Sequence, residues 1–89
     1  MGMPLGFCHN YRTLRLAMLK PGETFRNTRG TRCKVEGAYP DSDVAAVWEG
    51  QGMQQTRCAY HRTAEIYADT PEQVRNMLAR KRTLWDYIK

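Results

Sequence analysis

The run Arg32-Cys33-Lys34-Val35-Glu36-Gly37 alternates charged and apolar residues with a period of two. It lies inside a longer stretch, Lys20 to Tyr67, that is divided by glycine-bearing turns. A period of two puts Cys33 and Val35 on one face of a strand and Arg32, Lys34 and Glu36 on the other, the pattern of a half-buried sheet. The rest of the chain must then pack onto that sheet. Pro21-Gly22 leads into a short strand at Thr24-Phe25-Arg26, and Asn27-Thr28-Arg29-Gly30 has turn chemistry, with Gly30 free to take positive φ. Ala38 to Asp43 reads as a loop around Pro40, Asp41 and Ser42.

Val44 to Glu49 is a third strand, with Val44, Ala46 and Trp48 on one face and Ala45 and Val47 on the other. Apolar residues on both faces predict a central strand. Gly50-Gln51-Gly52 turns the chain, and Met53 to Tyr60 returns as the hairpin partner. On it Thr56, Cys58 and Tyr60 share a face, and Gln55 and Arg57 share the other. One more short strand is expected around Ile66, between His61 and Tyr67.

Residues 1–10 read as an irregular arm. Tyr11 to Lys20 has two readings. A helix would place Tyr11, Leu14 and Met18 on one face, and a strand would alternate Leu14, Leu16 and Met18 with Arg15 and Ala17; the helix is preferred. Either one ends at Pro21, which disfavours helical geometry at Lys20. A C-terminal amphipathic helix is expected over 71–88. Thr70 is its N-cap, Pro71 its first residue, and Gln73 completes a capping box. Val74, Met77, Leu78, Lys81, Leu84, Trp85 and Ile88 recur at helical spacing, so Trp85 should pack on the sheet. Asp86 follows Arg82 at pairing distance for two helical residues.

At 89 residues the chain is one domain, residues 11–89 after the arm, with the sheet over about 23–67. No apolar run approaches the length needed to cross a bilayer. The opening Met1 to Gly6 lacks the layout of a secretory signal. Three cysteines, Cys8, Cys33 and Cys58, are an odd set without repeated spacing, which suits reduced thiols and a cytoplasmic location.

The order of these parts resembles small SH3-like β-barrel proteins. The residues that carry the resemblance are Pro21-Gly22-Glu23-Thr24-Phe25, Gly30 through Gly37, the strand from Val44 to Trp48 and its return from Thr56 to Tyr60. The resemblance covers about half the chain. It implies binding rather than catalysis: peptides, nucleic acid, or docking onto a larger assembly. The expected class is therefore α+β, a small antiparallel sheet that could close as an SH3-like barrel, with the C-terminal helix added.

Charge is segregated along the chain. Residues 1–35 carry seven basic groups against Glu23 alone, residues 36–56 carry four acidic groups and no basic one, and residues 57–89 carry seven basic and four acidic groups. Such a layout predicts a basic face able to attract a polyanion. Arg26, Arg32 and Lys34 on one sheet face, Arg29 at the turn, and Arg57 and Arg62 in support are the expected phosphate contacts, with Tyr39, Trp48 and Tyr60 as candidate stacking platforms. The competing expectation is a solvated basic face over an aromatic core. A second function class is a protein-binding module, adaptor or inhibitor, using the acidic residues Glu36, Asp41, Asp43 and Glu49 with Trp48. An unpaired edge strand would also permit a homodimer.

Two further chemistries are open to these residues. Cys58-Ala59-Tyr60-His61 has the spacing of half a zinc knuckle, and Cys33 or Cys8-His9 could complete a tetrahedral set, but no paired Cys-x-x-Cys halves exist. Buried Cys33 and Cys58 and no cofactor are the simpler expectation. For catalysis, Cys58 with His61 or Cys8 with His9 lacks an orienting third group, and no phosphate-binding or dinucleotide fingerprint is present. A non-enzymatic binding protein is the reading the residues favour.

Overall fold

The computed structural model describes residues 14–87. Four antiparallel strands form one sheet in chain order: β1 Thr24–Arg26, β2 Arg32–Ala38, β3 Val44–Glu49 and β4 Thr56–His61. One α-helix, α1 Pro71–Ala79, follows among the described residues, with 3-10 turns at Leu16–Met18, Gly52–Gln54 and Leu84–Tyr87. The domain is therefore α+β, as the alternation predicts. Among the described residues no helix is long and apolar enough to cross a membrane.

The register sorts every side chain of the sheet onto one of two faces. Phe25 lies opposite Cys33, Val35 opposite Val47, and Val47 opposite Cys58, which makes the inner face. Thr24 lies opposite Lys34, Lys34 opposite Trp48, and Trp48 opposite Arg57, which makes one row of the outer face. β3 is central, as its two apolar faces require. The pairing of β2 with β3 shifts between Val35 and Gly37, leaving Glu36 as the extra residue of a bulge.

The core fills the inner side. Leu14, Leu16 and Leu19 arrive from before the sheet, Ile66 and Ala68 from after β4, Val74 and Met77 from α1, and Leu84 from the last turn. All meet Phe25, Val35 and Val47, and none of these is more than 6% exposed. Truncating one of the buried leucines to alanine costs about 2–5 kcal/mol.

Several local expectations are corrected. The described part of Tyr11–Lys20 is neither α-helix nor strand: Arg15 bridges Glu65, one 3-10 turn runs Leu16–Met18, and Leu19 is extended. Leu14, Leu16 and Leu19 all need to reach the core, and that spacing suits neither a helix stripe nor strict alternation. Around Ile66 there is no strand, only isolated bridges from Glu65 to Arg15 and from Tyr67 to Arg26, which cover part of the β1 edge.

The C-terminal helix starts at Pro71 as expected but ends at Ala79, after nine residues, rather than at 88. Arg80 is extended at φ −73 and ψ 143, and its guanidinium reaches back to Glu23 and to the Met18 carbonyl. Leu84 reaches the core from a separate 3-10 turn, in which Asp86 accepts from the Thr83 backbone N–H at 2.7 Å. Leu78, assigned to the apolar stripe by its spacing, is 49% exposed. The capping box is half as expected: Thr70 Oγ1 accepts from the Gln73 N–H at 3.1 Å, but the Gln73 side chain accepts from the Asp69 N–H at 2.7 Å. Trp85 does pack against the core, with its indole N–H on the Ser42 carbonyl. The arm at 1–10, Tyr11 and Ile88 lie outside the described residues.

Candidate nucleic-acid interface

Strand alternation decides which side chains reach the outer face of the sheet, and the register decides which of them are neighbours. Residues that flank the buried Cys33 and Val35 point outward, and so do their cross-strand partners. This places Lys34, Trp48 and Arg57 in a continuous row across β2, β3 and β4, with neighbouring Cβ atoms about 5 Å apart. One register step away, Arg26 and Arg32 lie opposite each other across β1 and β2. Trp48 is half-buried at the middle of the row. Beside it, Gly22, Lys34, Val35, Glu36, Trp48 and Gln55 line a shallow depression of about 340 Å³.

Two carboxylates share this face. Asp69 lies 3.5 Å from Arg26 and 3.5 Å from Arg32, and it also accepts from the Thr24 hydroxyl at 3.1 Å. Glu36 is aimed by the bulge, and its Oε1 accepts from the Trp48 indole N–H at 3.2 Å and from Arg57 Nε at 3.0 Å. Arg57 and Glu36 are about half exposed, at 48% and 50% of their side chains. An ion pair that wet contributes roughly 0–1 kcal/mol, so it holds side chains in place without consuming their charge.

Four of the six expected phosphate contacts thus meet on one surface: Arg26, Arg32, Lys34 and Arg57. The other two do not. Arg29 turns to Glu49 at 3.4 Å, and Arg62 lies 4.4 Å over the Trp85 ring with Asp43 at 3.6 Å. Of the expected stacking platforms, Tyr60 belongs to the inner face, edge-on to Phe25 at 6.0 Å and 76°. Tyr39 is 40% exposed and follows β2 in the loop. Trp48 is the aromatic residue that the register sets among the cations.

The residues of the protein-binding alternative do not share a surface. Asp41 and Asp43 precede β3 and Glu49 ends it, so the strand's length of roughly 17–20 Å lies between them. Glu49 faces inward, where it accepts the Tyr60 hydroxyl, whereas Trp48 faces outward.

The zinc set does not converge either. Cys33 on β2 and Cys58 on β4 share the inner face with β3 between them, roughly 10 Å across two strand spacings. His61 falls on the opposite face of β4 from Cys58, with its Nδ1 on the Thr63 hydroxyl at 2.8 Å. Among the described residues no group of three or more His, Cys, Asp or Glu side chains could hold a metal ion. Cys8 and His9 lie outside the described residues.

Inside the sheet, a polar cluster closes over one end of the core. Tyr60 OH donates to Glu49 Oε2 and accepts from Asn27 Nδ2 at 3.1 Å. Asn27 Oδ1 accepts from the Arg29 and Thr31 N–H groups, each at 2.9 Å, and so shapes the β1–β2 turn. Burial, then the hydrogen bond to Glu49, push the Tyr60 phenol far above its ordinary range. Burial likewise pushes the Cys33 thiol up.

The sequence did not single out Asp69, gave Asn27 only as a turn residue, and placed Glu36 on the charged face of its strand and in the acidic block without pairing it to Trp48. A charged residue directly before Gly37 in a strand was the available signal, since strand glycines often mark bulges. No protein-family model, curated protein or solved structure matches the chain.

Proposed function

We propose that the protein binds single-stranded nucleic acid across the outer face of its sheet. Trp48 stacks on a base, and Lys34, Arg57, Arg32 and Arg26 meet the phosphates on either side. The observation that carries this reading is the row Lys34–Trp48–Arg57, which sets an indole between two cations on adjacent strands. A base stacked on an aromatic ring gains about 1–3 kcal/mol, and each neutralised phosphate releases counterions. The half-exposed pair of Arg57 with Glu36 consumes little of either charge, so a phosphate oxygen can join it, and Arg32 keeps 43% of its side chain exposed beside Asp69. An SH3-like use of the sheet, suggested by Pro21 to Phe25 and Gly30 to Gly37, is in keeping with a binding role.

The test is fluorescence anisotropy with labelled single-stranded 15-mers across a salt series. Micromolar affinity that falls steeply with salt is expected. Trp48→Ala should weaken it about tenfold, and Lys34→Ala with Arg57→Ala should lower the salt slope by about 2. Arg29→Ala and Arg62→Ala, which alter groups away from this face, should bind like the parent. Absence of salt-dependent binding, or full affinity in folded Trp48→Ala, overturns the proposal.

A further inference from the structure

We infer that Glu36 makes this surface selective, favouring bases that carry an amino group over thymine and uracil. The inference rests on the proposed single-strand binding and adds a chemical preference to it. Glu36 points outward with Lys34 and sits at the bulge of β2, where the register shifts between Val35 and Gly37, and its carboxylate meets Trp48. The indole N–H lies in the ring plane, so its 3.2 Å bond to Oε1 holds the carboxylate beside the ring edge. Arg57 Nε fixes the same oxygen at 3.0 Å. Both bonds fall on Oε1, and the carboxyl is half exposed, so Oε2 retains acceptor capacity at the margin of the depression.

A base stacked on the indole brings its own hydrogen-bonding edge over that carboxylate. Cytosine presents N4–H₂ there, adenine N6–H₂, and guanine N1–H with N2–H₂, and each can donate to Oε2. Thymine and uracil present a single N3–H between two carbonyl oxygens, which repel a carboxylate. Cytosine and thymine have similar stacking surfaces, so their ratio isolates the edge reading from the stacking.

The experiment compares labelled dC15 and dT15 at pH 7.5 with the intact protein and with Glu36→Gln. The parent should bind dC15 about tenfold more tightly than dT15. Glu36→Gln offers a donor as well as an acceptor, so the ratio should fall toward one while dT15 binding is kept or improved. Equal affinities in the parent, with the salt dependence intact, overturn the inference and leave single-strand binding standing. A preference that survives Glu36→Gln also overturns it, because another group then reads the base. Failure of the parent to bind either oligonucleotide overturns both proposals together.

Discussion

Arg80 grips Glu23 with both ends of its guanidinium, NH1 to Oε1 at 2.7 Å and NH2 to Oε2 at 2.5 Å. The same NH1 donates to the Met18 carbonyl at 3.0 Å. The two side chains are only 17% and 18% exposed, and between them they join the segment after α1 to the turn before β1 and to the Leu16–Met18 turn. Three pieces of chain with little regular structure of their own are held by one fork. Lys20 adds its backbone N–H to Glu23 at 2.9 Å.

This pair makes stability sensitive to acid. Burial by itself would raise the Glu23 carboxyl, but the Arg80 hydrogen bonds, the Lys20 N–H and the two positive charges hold it below its ordinary 4.5. A lowered folded value means the contribution is complete above the ordinary carboxylate range and is lost as pH falls through the folded value. Urea unfolding from pH 7 to pH 2.5 should show Glu23→Gln less stable by about 2 kcal/mol at neutral pH, with the gap closing at the acid end. A gap that stays constant with pH would contradict the pairing.

At the alkaline end Tyr60 plays the matching part. Its phenol is raised, so the stability it contributes is present below the ordinary tyrosine range and is lost as pH rises toward the folded value. Ultraviolet titration of the native protein should show a tyrosine that stays un-ionised well above the ordinary tyrosine range, and Tyr60→Phe should remove that silent group. The substitution should cost about 1–2 kcal/mol at pH 7, because Glu49 and Asn27 lose a shared partner.

Two glycines separate backbone conformation from space. Gly50 has φ +97°, and a Cβ there would sit 2.8 Å from the Gln54 carbonyl oxygen. Gly22 has φ +89° with nothing within 4 Å of the same position. Gly50→Ala should therefore cost about 2 kcal/mol or more, and Gly22→Ala about 1 kcal/mol, in denaturant unfolding. Equal losses would show that conformation alone decides.

Thiol reactivity should separate the two described cysteines. Cys33 is 2% exposed and its thiol is raised, chiefly by burial; Cys58 is partly exposed on the edge strand. Iodoacetamide at pH 8 with peptide mapping should label Cys58 in the native protein and Cys33 only in denaturant. Comparable native rates would place Cys33 outside the core.

The expectations that survive are those set by neighbours along the chain. Cys33 and Val35 turn inward between Arg32, Lys34 and Glu36 because a pleated strand alternates whatever it pairs with. Gly30 takes φ +86° in the turn, and Thr70 caps α1 from the position its spacing predicts. The helix end did not follow from local pattern. Lys81, Leu84 and Trp85 continue a helical spacing, yet Arg80 leaves the helix for a carboxylate 57 residues earlier.

The charge layout divides in the same way. Three blocks of opposite sign are legible in the sequence, but the fold mixes them: Arg57 meets Glu36, Arg62 meets Asp43, and Arg29 meets Glu49. Sequence by itself determined the strands, their turns and the face each side chain takes, because those depend on backbone geometry within a few residues. Only the tertiary structure decided that Lys34, Trp48 and Arg57 form one row with Glu36 at its edge. That depends on strand register and one bulge, which are fixed by packing between residues far apart in the chain.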